Sequence, residues 1–224
     1  MRVAVYYCPL PDDPLFAAGA TWLGRDPQTN ALVRQPPIAN IDAMTADARH
    51  YGFHATLKPP MRLADGAEWR ELVAAARALA ASIPALDLPP LAVANIDGFL
   101  ALREATRSPE LHSLADACIE ALDSFRAPAT AAELARRRLS SLTAKQDAML
   151  QRWGYPYAFN TWFFHMTLTR RLSPTEHRVW RPRAKAHFSS ALAEPRRIAD
   201  ICLSRQSTDT EPFTIAERLA LRSS

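Results

Sequence analysis

The string H-x-T-L occurs twice, as His54-Ala55-Thr56-Leu57 and His165-Met166-Thr167-Leu168, about half the chain length apart. With six His, 14 Thr and 26 Leu among 224 residues, chance supplies one such string about 0.04 times and two on the order of once in a thousand chains. The neighbourhoods match too. Each copy lies in a strand-like segment, and each is followed by a helical pattern and then two more strand-like segments. Such a chain is expected to fold as two related lobes around one site.

The pattern along the chain fills in this frame. Arg2 to Cys8, rich in Val and Tyr, reads as a strand; Asp13-Pro14 caps a helix that Gly24 stops after Leu23. Residues 25–39 read as loop and Asn40 to His50 as a short helix closed by Gly52. Phe53 to Lys58 reads as a strand ended by Pro59-Pro60. Ala67 to Ser82 is amphipathic, and Leu91 to Ile96 with Phe99 to Arg103 forms a hairpin through Asp97-Gly98. Ser108-Pro109-Glu110 opens a helix to about Phe125, and helical pattern returns from Thr130 to Trp153. A turn at Gly154-Tyr155-Pro156 precedes a strand over Thr161 to Thr169. Ser173 to Glu176 is a capping box for a helix that Pro182 is expected to kink or end. Ile198 to Ser204 and Phe213 to Leu221 close the chain as strands.

Alternation within a strand gives each motif one polar and one apolar face. His54, Thr56 and Lys58 point one way and Phe53, Ala55 and Leu57 the other; His165, Thr167 and Thr169 oppose Phe164, Met166 and Leu168. A lone strand histidine is most often structural. A repeated pair, one per unit, has the chemistry of a general base and a general acid, because imidazole titrates near neutrality. Threonine hydroxyls beside them suit hydrogen bonds to the oxygens of a phosphoryl group, with Lys58 adding positive charge.

Composition narrows the chemistry further. Six Gly against 18 Pro invert average usage, and no G-x-G-x-x-G or G-x-x-x-x-G-K-[ST] occurs, so a backbone phosphate cradle is excluded. Any phosphate here is held by side chains. No zinc-ligand spacing or acidic cluster appears, and no metal or other cofactor is expected. The balance of 27 Lys and Arg against 23 Asp and Glu, for a net charge of +4, suits an anionic substrate. Arg136-Arg137-Arg138 reads as a solvated helix face, since no aromatic ladder accompanies it. Cys8, Cys118 and Cys202 are few and far apart, consistent with buried thiols. The short apolar start is not a signal peptide, no span is long enough to cross a bilayer, and a cytoplasmic monomer without membrane contact is expected.

The paired motifs resemble those of the two-histidine (2H) phosphoesterase superfamily, also called LigT-like or RNA 2′,5′-ligase-like. The longer strings Tyr51-Gly-Phe-His-Ala-Thr-Leu-Lys-Pro-Pro60, Trp153-Gly-Tyr-Pro-Tyr157 and Phe164-His-Met-Thr-Leu-Thr169 are similar to one branch of it, a domain of unknown function found beside phosphonate-utilisation genes. The resemblance implies a bilobal α+β fold in which two pseudo-symmetric lobes of antiparallel sheet, covered by helices, enclose a groove. Residues 1–106 and 107–224 are the expected lobe halves of one 224-residue domain. It implies catalysis by His54 and His165, phosphate contacts from Thr56 and Thr167, and metal-free opening of a cyclic phosphodiester on a small phosphorylated sugar or nucleotide.

RNA ends with a 2′,3′-cyclic phosphate, a 2′,5′-ligase-like reaction, and a non-catalytic phosphate-binding module remain the alternatives. Tyr51, Tyr155, Thr169 and Arg170 are candidate groove-lining residues. Arg170 stands where the family has a small residue, and it either reaches the groove or is solvated. Arg103 and Arg205 are surface arginines or phosphate contacts. His50, His112, His177 and His187 lack a repeated partner and are read as structural.

Overall fold

The computed structural model describes residues 1–139 and 141–223 and is of the α+β class. Strand β1 (Arg2–Tyr7) leads to α1 (Pro14–Leu23), where the Asp13 carboxylate accepts from the Leu15 amide and Gly24 turns the chain out at φ 81°. That positive φ suits a residue without Cβ. Helix α2 (Ile41–Tyr51) ends on Gly52, also at φ 81° but with an extended ψ of 173°, and β2 (Ala55–Arg62) follows. Then come α3 (Trp69–Ser82), a short β3 (Leu86–Leu88), and the hairpin β4 (Leu91–Ile96) and β5 (Phe99–Glu104). The second half holds α4 (Pro109–Ala121), α5 (Ala131–Arg138), α6 (Ala144–Trp153), β6 (Met166–Arg171), α7 (Pro174–Ala193), β7 (Arg196–Ile198), β8 (Asp200–Gln206) and β9 (Thr214–Ala220).

The expected internal repeat is present in the order of elements, as β2-α3-β3-β4-β5 and β6-α7-β7-β8-β9. The division at residue 106 is not how strands are shared, however. Seven strands form one antiparallel sheet in the order β4-β5-β6-β2-β1-β8-β9, and β3 pairs with β7 separately. The β4-β5 hairpin of the first half flanks β6, and the β8-β9 hairpin of the second flanks β1 and, through it, β2. Each spatial lobe therefore mixes both halves of the chain. Alternation dictates which residues face the groove but does not specify which strand lies beside which.

Helices bury the apolar face of this sheet. Val3, Val5 and Tyr7 of β1, Ala55 and Leu57 of β2, and Met166 and Leu168 of β6 pack with Leu15, Trp22, Leu72, Leu111 and Phe188 from the helices in one large core. On the opposite face, Ala4, Tyr6, Cys8, Cys202 and Phe213 make a small second cluster. All three cysteines are buried and free. Among the described residues no helix is long and apolar enough to cross a membrane.

Several boundaries differ from the sequence reading. Pro59-Pro60 do not end β2, because they fall where the β1 register slips between Val5↔Lys58 and Val3↔Met61, a place where no ladder N–H is required. The stretch 130–153 is two helices, each opened by its own capping box, Thr130 with Glu133 and Thr143 with Gln146; Ser140 between them lies outside the described residues. Pro182 sits inside α7 without ending it, on an exposed face where solvent can meet the carbonyl it frees. The second motif strand begins at Met166 rather than Thr161, because residues 159–161 form a 3-10 turn.

Candidate active site

β2 and β6 touch through a single backbone pair, Ala55↔Met166, and then diverge. Around an antiparallel pair, residues flanking one partner face those flanking the other in reverse order. His54 therefore stands beside Thr167, and Thr56 beside His165, in a two-fold arrangement. Both histidines occupy the residue just before their strand, and all four motif side chains are part-exposed while Ala55, Leu57, Met166 and Leu168 are buried. The local packing explains the placement. Phe53 lies against Phe188 at 5.8 Å and closes on Gly19 of α1, where a Cβ would come within 2.0 Å of its ring. The Trp162 indole donates to the Thr56 carbonyl at 2.9 Å, tying the approach to β6 onto β2.

The two imidazoles are held alike. His54 Nδ1 lies 2.8 Å from the Gly52 carbonyl and His165 Nδ1 3.2 Å from the Phe163 carbonyl, each two residues back. A carbonyl only accepts, so Nδ1 carries the proton in both neutral rings, and Nε2 is the atom left for chemistry. His54 Nε2 is 3.2 Å from the Thr56 hydroxyl. Burial, with the Tyr6 ring stacked on it at 3.7 Å, pushes the His54 pKa down to about 4; the Gly52 bond opposes this and nearby His165 adds to it. Burial also lowers the His165 pKa, against its Phe163 bond and together with the charge of Arg103. Both rings are thus neutral bases at pH 7 in the absence of an anion.

His54, Thr56, His165 and Thr167 line one cavity of about 440 Å3, together with Tyr51, Tyr155, Tyr6, Arg2, Arg136, Arg137 and Pro59-Pro60. A larger cavity of about 720 Å3 near β3 and α4 is lined by residues such as Ile83, Leu86 and Leu114 and by none of the motif residues. Tyr51 stacks on Phe213 at 5.4 Å, and Tyr155 lies under the Arg137 guanidinium at 5.5 Å. Among the described residues no three His, Cys, Asp or Glu side chains gather as a metal site.

Three sequence candidates lie elsewhere. Lys58 was expected on the groove face, but the slip that pairs Tyr6 with Thr56 and Val5 with Lys58 turns it to the helix side. It is buried there, donating to the Ile119 carbonyl at 3.0 Å and to Asp123 at 3.2 Å. Thr169 is buried by a second irregularity, between Phe99↔Arg171 and Ala101↔Thr167, and its hydroxyl accepts from the Leu100 amide. Arg170 pairs with Glu176 at 2.8 Å and does not line the groove.

Sequence reasoning missed Arg2, Tyr6, Arg136 and Arg137. The alternation Arg2, Ala4, Tyr6 on β1 held the signal for two of them, since that face carries His54 once β1 pairs with β2. Nothing local distinguishes Arg136 and Arg137 from a solvated run. Their position depends on how α5 overhangs the sheet.

The family model DUF1045, a protein of unknown function, matches residues 56–214. A ribose 1,5-bisphosphate phosphokinase PhnN of Janthinobacterium sp. (strain Marseille) is 40% identical over 227 residues, covering 97% of this chain and 50% of that protein. Another protein of that name, from Laribacter hongkongensis (strain HLHK9), is 39% identical over 198 residues, covering 87% and 46%. The chain spans about half the length of the curated relatives it matches. Among solved structures, a phosphoesterase aligns with TM-score 0.43 and 14% identity over 99% of this chain and 98% of its own. Escherichia coli LigT complexed with NADP+ aligns with TM-score 0.41 and 15% identity, covering 99% and 97%.

Proposed function

We propose that this chain, which belongs to the DUF1045 family, opens a cyclic phosphodiester with two histidines and no metal ion. One Nε2 accepts a proton from water as its oxygen attacks phosphorus. The ring P–O bond breaks, and the other histidine, arriving protonated, gives its Nε2 proton to the departing alkoxide. The product is a phosphate monoester. Thr56 and Thr167 donate to the non-bridging oxygens, where charge gathers in the transition state. The observation that carries this reading is the matched pair of imidazoles, each with Nδ1 held by the carbonyl two residues back and each lining the same cavity.

The substrate class we favour is a cyclic phosphate of a small sugar. A cavity of about 440 Å3 is of a size for one small molecule, and the curated relatives are named for an enzyme of ribose bisphosphate. The phosphonate-utilisation setting suggested by the motif strings agrees with this class. The phosphokinase activity in that name calls for a glycine-rich phosphate loop, and no G-x-x-x-x-G-K-[ST] string occurs in this chain.

The test is a panel of cyclic phosphates in EDTA: ribose 1,2-cyclic phosphate, nucleoside 2′,3′-cyclic phosphates and oligonucleotides ending in a 2′,3′-cyclic phosphate. Ring opening of the small compounds is expected. Turnover that rises with oligonucleotide length and falls steeply with salt would favour RNA, and tight binding without turnover would favour a binding module.

A further inference from the structure

The groove carries more positive charge than one phosphodiester needs. Arg2, Arg136 and Arg137 line it beside the two motifs, and among the described residues no Asp or Glu does. These guanidinium groups come from two separate elements. Arg2, at the start of β1, is anchored by Gln206 at 2.7 Å and lies 3.6 Å from Asp209, whose side chain is almost fully exposed. Arg136 and Arg137 stand in the last turn of α5, with Arg137 laid over the Tyr155 ring. Past Pro60 a small adjoining cavity shares Arg2, Arg136 and Arg137 and adds Arg62 and Arg126. Its single acid, Glu133, is engaged by Arg62 and by the Thr130 amide.

A second feature also points to a ligand. Tyr6 lines the groove and is 1% exposed, yet its hydroxyl has no hydrogen-bond partner among the described residues. A buried hydroxyl left unpaired is costly, and a bound oxyanion would satisfy it. The phenols of Tyr51 and Tyr155 line the same groove.

A phosphodiester brings one negative charge, which the two Thr hydroxyls and a protonated imidazole can meet. Three further guanidinium groups on one wall of the same cavity, with forked donors matched to phosphate oxygens, suit a second anion. We propose that the wall formed by Arg2, Arg136 and Arg137 is a subsite for a terminal phosphate monoester on the same substrate, which is therefore a cyclic phosphodiester bearing a second phosphate. The proposal rests on the groove being the cyclic-phosphate site.

The experiment is calorimetric binding of ribose 1,2-cyclic phosphate, with and without a 5-phosphate, to protein carrying His54→Ala and His165→Ala, so that no chemistry is required. The doubly phosphorylated compound is expected to bind at least tenfold tighter. In the background of Arg136→Gln and Arg137→Gln the ratio falls below threefold, and Arg2→Gln on β1 gives a second variant in case α5 is disturbed. Equal binding of the two compounds, no binding of either, or a ratio indifferent to all three arginines overturns the subsite. Arginine-dependent preference with no turnover by the wild-type protein would uphold the subsite and instead refute the phosphodiesterase reading.

Discussion

His54 is stacked against Tyr6 and pushed down to about 4, and His165 is lowered as well, by burial and by Arg103. The sign for catalysis follows directly. The base must be neutral, so activity falls as pH drops through about 4; the acid must be protonated, so activity falls as pH rises through a value below the usual 6.5 of imidazole. For the proposed ring opening, kcat/KM is therefore expected to be bell-shaped with its maximum on the acid side of pH 6.5, and a profile still rising at pH 8 would contradict acid–base catalysis by these two imidazoles.

Lys58 makes the opposite case. Its pairing with Asp123 is sealed beneath the sheet, and Arg126 holds the same carboxylate at 2.8 Å. Lys58→Met is expected to cost about 1–3 kcal/mol, less than a fully orphaned buried ion because Arg126 remains. Chemical denaturation measures that loss, and KM of the folded variant should stay within twofold. A tenfold rise in KM would return Lys58 to the substrate. At this scale the alternation in the sequence told which face His54, Thr56, His165 and Thr167 share, and all four line one cavity. It misplaced Lys58 because one extra residue in β2 turns the side chains beyond it to the other face, and Thr169 because it falls in the stretch between Thr167 and Arg171 where β6 loses register with β5; both irregularities are set by cross-strand pairing.

Between elements, the approach of α1 to the sheet positions the first histidine. Gly19 has no Cβ, and Phe53 fills that space directly before His54. Gly19→Ala is expected to destabilise the protein by about 1–3 kcal/mol through overpacking and to lower kcat more than a matched change such as Ala17→Ser on the same helix. Equal unfolding midpoints and equal kcat for Gly19→Ala and wild type would show that α1 does not hold the ring. Helix starts at Asp13, Ser108 and Ser173 accept the capping bonds that their side chains advertise, so these ends could be read locally. The break between α5 and α6 was hidden because both segments have helical pattern, and β3 and β7 were obscured by their three-residue length.

The whole molecule is a repeat whose hairpins have crossed over. β4-β5 lies on β6, β8-β9 lies on β1, and the motif strands meet at the single pair Ala55↔Met166. That exchange brings two histidines from opposite halves of the chain into one cavity, beneath arginines from β1 and α5. The sequence disclosed the repeat and hence a shared site. It could not disclose the crossover, which depends on edge pairing between segments with similar patterns.

If the paired imidazoles act as one unit, their removal is not additive. Ring opening of a cyclic ribose phosphate in EDTA, followed by phosphorus NMR for the wild type, His54→Ala, His165→Ala and the double variant, tests this most directly. The expected result is metal-free turnover by the wild type, a loss of about 10²–10⁴-fold in each single variant, and a double variant within about tenfold of the weaker single one. Chelation that abolishes wild-type turnover, or either single variant keeping more than about a tenth of it, would contradict two-histidine catalysis.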